Sequence, residues 1–182
     1  MSNTIIGGNL IAAITGGVFI LTPLARAVSG TLKLQASPAS IMAAYIIEKL
    51  DVSMTDPSDK DSWPLYISHL PDGTNVKTDA GAIYDTTGVN DMRSMDGGVP
   101  QHPGIQIRIR ARSYETGYAK IEDIASALDE VVNASIEIGS LEYEIQNVSR
   151  TSPIVSLGVE TGTRRRFSFT INFLLTIREL TS

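Results

Sequence analysis

Cysteine is absent from the 182 residues. Neither a disulfide framework nor a thiolate metal site can form, and any redox compartment is permitted. Histidine is scarce, with His69 and His102 each beside a proline turn. A hydrolase triad would pair a histidine with a nucleophile and an orienting acid, but there is no G-x-S-x-G elbow. Two distant histidines and unpatterned carboxylates do not make a zinc site. Asp56, Asp59 and Asp61 lack the sharp-turn glycine and the distal glutamate of a calcium loop. Walker A and G-x-G-x-x-G phosphate cradles are missing as well. The expectation is a non-enzyme with no catalytic residue, no metal and no cofactor.

Charge is also modest. Charged residues make up 19% of the chain and hydrophobic ones 42%, a globular composition. The net charge of −5 argues against a dedicated nucleic-acid binder, which would carry a basic surface to track phosphates. A local basic patch remains open. From Thr4 to Ala25 no side chain is charged, over a length close to the ~20 residues that cross a bilayer. No Lys or Arg precedes that run, as a secretory leader requires, although Ala25-Arg26-Ala27 has a small-x-small form. Gly7, Gly8, Gly16, Gly17 and Pro23 would weaken a helix there. An export signal and a membrane span are the alternatives; the reading adopted is an N-terminal arm or hairpin extension over residues 1–36. Its Gly-Gly pairs then serve as turns between extended runs such as Val18 to Leu21 and Thr31 to Gln35. An apolar arm must pack against its own domain, a neighbouring copy or a partner.

What remains, residues 37–182, alternates between strand and helix signals. Ser37-Pro38 opens a helix with an N-cap serine and a proline at its first position, and Ile41, Ala44, Tyr45 and Leu50 continue it towards Asp51. Trp63 to Leu70 and Ala82 to Thr86 read as strands around a Pro71-Asp72-Gly73 turn. A Gly- and Asp-rich loop follows, Thr87 to Gln101, carrying Met92 and Met95. Loops of that length tend to be functional or disordered.

The stretch from His102 to Asp129 is the most regular. Ile105, Ile107, Ile109 and Ala111 alternate with Gln106, Arg108, Arg110 and Arg112, giving a strand with one apolar and one cationic face. Beyond Arg112 the apolar positions Tyr118, Ile121, Ala125, Leu128 and Val132 take helical spacing. Gly139-Ser140 then fits a type II′ hairpin turn between Ser135–138 and 141–148. Ile154 to Glu160 is a further strand. In the last one, Phe167, Phe169, Ile171, Phe173, Leu175 and Ile177 face one way. The expected class is α+β: an antiparallel or mixed sheet with two main helices packed on one face, plus the N-terminal arm.

Five pieces, taken in order, resemble the tail terminator (minor tail, tail-completion) proteins of long-tailed bacteriophages. They are SPASIMAAYIIEKL, DSWPLYISHLPD, AIYDTTG, HPGIQIRIRARSYETGYAKI and LGVETGTRRRFSFTINFLL. The resemblance runs from about Pro38 to Leu180. It implies a structural virion protein at the head-proximal end of the tail, assembled in the host cytoplasm. Such a protein forms a homohexameric ring on the tail tube, stops its polymerisation and joins it to the head connector or stopper protein. DNA would pass through the channel without sequence-specific binding, and no membrane is involved. The resemblance makes the loop with Met92 and Met95 a candidate for contact with the next ring or with DNA-channel components.

The arginines are the one functional-looking group. Arg108, Arg110 and Arg112 share a strand face, and Arg164, Arg165 and Arg166 open the last strand. If those strands are neighbours, the side chains gather into one cationic surface. Pairing with Glu142, Glu144 or Glu160 on adjacent strands would neutralise it. An acidic surface of a neighbouring subunit, or phosphate, would do so too. The competing functional reading is therefore an α+β binding module whose Arg-rich sheet face takes an anionic ligand or nucleic acid.

Overall fold

The structure, a computed structural model, describes residues 4–7, 10–15, 18–23, 34–59, 63–73, 76–90, 101–160 and 165–180. The chain divides into two compact units, Met1–Thr31 and Leu32–Ser182.

The first unit is an antiparallel meander of β1 (Thr4–Gly7), β2 (Leu10–Thr15) and β3 (Val18–Pro23). Ile6 lies opposite Ile11, and Leu10 opposite Pro23. Connections as short as residues 8–9 and 16–17 join antiparallel strands readily. Of the extended run expected from Thr31 to Gln35, residues 31–33 fall outside the described residues, and Leu34 and Gln35 are not in a strand.

The second unit opens with α1 (Pro38–Lys49). The Ser37 hydroxyl accepts the Ser40 amide at 3.1 Å, and the Asp85 carboxylate accepts the Ala39 amide at 2.8 Å. Both satisfy amides that the first turn leaves open, and the carboxylate also complements the helix dipole. The strands are β4 (Met54–Thr55), β5 (Trp63–Ile67), β6 (Ala80–Asn90) and β7 (Gln101–Ala111). After α2 (Tyr114–Asp129) come β8 (Val132–Ile138), β9 (Leu141–Arg150), β10 (Val155–Val159) and β11 (Phe167–Leu180).

They form one eight-stranded mixed sheet in the order β4-β5-β6-β7-β11-β9-β8, with β10 beside the first half of β11. The β4–β5 and β5–β6 pairs are parallel and all others antiparallel. Gly139 takes φ +66°, as the first central position of a type II′ turn between β8 and β9 requires.

Both helices share one core with the apolar side of the sheet. Ile41, Met42 and Ile46 of α1 join Ile121, Ile124 and Leu128 of α2 over Ile105, Ile107, Ile109, Phe169, Ile171 and Phe173, all essentially without solvent contact. Gly117 lets α2 approach closely, because a Cβ there would sit 2.6 Å from the Phe169 ring and 2.9 Å from the Ala111 methyl. α1 packs against β4, β5, β6 and β7 and also against β8 at the opposite margin, so the sheet curls around it.

Three local expectations change. The buried stripe of α2 is Gly117, Ile121, Ile124, Ala125 and Leu128; Tyr118 is 43% exposed, and Val132 belongs to β8, where it is 63% exposed. The helix ends at Asp129, so its period does not reach Val132. The strand begun by Trp63 stops at Ile67. Only the two ends of the expected Thr87–Gln101 loop are strand, since β6 runs to Asn90 and β7 starts at Gln101, before Pro103-Gly104; residues 91–100 lie outside the described residues. Pro103 fits inside β7 because neither neighbouring strand pairs with it in regular register. Met92 and Met95 lie outside the described residues.

Candidate interaction site

Register decides what becomes of the arginines. In β7, Arg110 lies opposite Ser168 of β11 and Ala80 of β6, and Arg108 lies opposite Thr170 and Ala82. Cross-strand partners share a face, so both arginines stand on the outer face between small neighbours that leave room for them to lie flat. Ala80 and Ala82 are fully buried beneath this layer.

The segment after β5 folds over the same face. Arg110 is only 2% exposed; its Nη2 donates to the carbonyls of Pro71 at 3.0 Å and Lys77 at 3.2 Å, and its Nε to that of Thr78 at 3.4 Å. Burial, and then the nearby Arg166 charge, push its pKa below the ordinary arginine value. Arg108 donates to Glu160 Oε1 at 3.3 Å and to the Ser168 hydroxyl at 3.4 Å. Arg166 is 5% exposed and binds the Asp72 carboxylate at 2.6 Å. Its Nε also lies 3.0 Å from Glu160 Oε2, but without hydrogen-bond alignment, so that contact is an ion pair only. The Arg166 guanidinium, through its hydrogen bond and then its charge, holds the Asp72 carboxyl below the usual carboxylate range.

The outer face is thus a layer of internal ties, with Glu160 bridging Arg108 and Arg166. Glu144, another expected partner, pairs instead with Arg178, directly opposite it on β11. Of the remaining arginines, Arg112 and Arg165 are exposed, and Arg164 lies outside the described residues. Asp72 is the participant that sequence reasoning missed: a Pro-Asp-Gly turn signals a bend, not what the bend will touch.

The histidines have local structural contacts. His69 Nδ1 is 3.1 Å from the Ile67 carbonyl and its ring meets the edge of Tyr66, and His102 Nδ1 is 3.0 Å from the Thr176 hydroxyl. Among the described residues no group of three or more His, Asp or Glu converges as a metal site would require, and no helix is long and apolar enough to cross a membrane.

A family model described as bacteriophage tail terminator protein matches residues 45–177. The chain belongs to the bacteriophage tail terminator family. The matched span runs from Tyr45 in α1 to Ile177 in β11, and so holds the arginine layer, both flanking strands and nearly all of the core of this tail terminator. Membership makes the chain a structural protein of the phage virion. No curated protein matches it.

Proposed function

We propose that the chain forms a ring, a homohexamer, on the last ring of the tail tube, stops further polymerisation there and presents a surface to the head connector or stopper protein. The family match over residues 45–177 carries this reading. DNA passes through the ring without sequence-specific contacts, in keeping with the net charge of −5. A terminator needs two unlike faces, one complementary to a tube subunit and one that refuses another. Ring closure in turn needs a head-to-tail interface whose rotation closes.

Arg112 and Arg165, exposed at the ends of β7 and β11, are the arginines we assign to contacts between subunits or rings. Arg108, Arg110 and Arg166 support them from within the subunit. The same internal ties weigh against the anionic-ligand module, because a ligand would have to displace Glu160 and Asp72 from their arginines. The N-terminal meander packs within the assembly in this reading.

The test is to add the purified chain to polymerising tail tube protein. Tubes should stop growing and carry the chain at one end. Unchanged tube length with the chain unbound would defeat the proposal.

A further inference from the structure

β10 is a strand without cover. All five of its residues, Val155 to Val159, are exposed, with Leu157 52% exposed. Val159 faces the helix side opposite Phe167, and Val155 the other side opposite Thr170. Its one strand partner among the described residues is β11, so its outer edge is open. A bulge at Ser156/Gly158, with Gly158 at φ +83°, twists the edge and hinders unselective pairing. The bulge does nothing for the exposed valines and leucine. β10 contains no charged residue, whereas Arg165, at the entry to β11, is exposed.

A receptor of matching character lies elsewhere on the same unit. Where the curled sheet leaves a gap between β5 and the end of β8, a groove of about 670 Å³ opens over α1. Ala44, Ile47, Leu65, Ile67 and Ile138 supply its apolar lining, and exposed Glu48 and Asp56 stand at its rim. β4 pairs with β5 at Trp63 and Pro64 but not beyond, so among the described residues Leu65 to Ile67 have no strand partner on the side away from β6.

The geometry points to a second copy as the occupant: β10 of one subunit seats in the groove between α1 and β5 of the next. It adds a strand to the open β5 edge, turns one face of β10, with Val159, onto the apolar lining while Val155 stays on the opposite face, and brings Arg165 to Glu48 and Asp56. Main-chain pairing would supply affinity and the apolar side chains register. The charges select the partner and orientation. Donor and receptor are different surfaces of one chain, so the contact is head-to-tail, the kind that closes into rings. This inference deepens the ring-forming reading and rests on it.

The lack of cysteine allows a direct test. The double variant Leu157→Cys, Ile67→Cys is assembled at high concentration and on tail tubes, then treated with a short bifunctional thiol reagent. A ladder of covalent multimers ending at the copy number of the ring is expected, with nothing beyond dimers from either single variant. Rings seen by native mass spectrometry without a ladder would overturn the docking and leave the ring reading intact. A ladder from Leu157→Cys with Ser135→Cys, on the open β8 edge, in place of the first pair would overturn it equally. Monomers under every condition, tubes included, would overturn both readings. Independently, Glu48→Arg with Asp56→Arg should raise the concentration needed for half-assembly by about tenfold. Adding Arg165→Glu should recover much of that loss, and a further loss would contradict the pairing.

Discussion

β10 and β11 are neighbours in one sheet, and both alternate apolar with small or polar residues, yet their fates are opposite. Along β11, Phe169, Ile171, Phe173, Leu175 and Ile177 are all buried, with strands on both sides and helices above them. Along β10 nothing is buried. The difference lies in the second layer, since a strand buries its apolar face only where another element covers it. Where the chain provides none, the same pattern marks a surface suited to another molecule.

The sharpest way to break the comparison is to remove cover from the centre. Phe173→Ala should cost about 3–5 kcal/mol of unfolding free energy in denaturant titration, through lost burial and the cavity left behind. Next comes the outer face. Arg110→Met keeps volume but leaves the carbonyls of Pro71, Lys77 and Thr78 without their donor, for an expected loss of about 2–4 kcal/mol. Arg112→Met, at an exposed position, should stay within about 0.5 kcal/mol by the same measurement.

A smaller effect distinguishes the ionised tie. The folded-state pKa of Asp72 is lowered, so its contribution is present above the ordinary carboxylate range and is lost as pH falls through the depressed value. Asp72→Asn should therefore lower the melting temperature slightly at neutral pH, and the gap to wild type should close in acid. A gap that persists at low pH would mean that the ion pair is not its source. Smallest of all, Leu157→Ala on β10 should change monomer stability by less than about 0.5 kcal/mol, while weakening assembly in native mass spectra.

Period alone carried much of the fold. The alternations Ile105 to Ala111 and Phe167 to Ile177, the Ser37-Pro38 cap and the Gly139-Ser140 turn each emerge as local geometry requires. The failures are tertiary. Arg110 alternates like an exposed residue, but the carbonyls that hold it belong to Pro71, Lys77 and Thr78, 32 to 39 positions upstream in the chain. Val132 fits the helical spacing, but where a helix stops depends on what it meets; Tyr118 is inside the helix, where its ring meets Phe169 yet stays 43% exposed. Glu179 continues the core face of β11 beyond Ile177 and is buried, with its carboxylate accepting from the Gln35 amide and side chain. Beside it, Tyr143 accepts the Ala36 amide at 3.1 Å. A charged residue ending an apolar alternation gives no local sign that the entry to α1 will satisfy it. The groove over α1 arises from curling of the whole sheet, which no window of sequence encodes.

The central claim is that this protein ends a tube as a ring. Labelled chain should be located by electron microscopy on intact tails, with its copies counted by native mass spectrometry after release. The account predicts label at the head-proximal end only, in one fixed multimer per tail. Label along the tube, or tails that carry none, would contradict it.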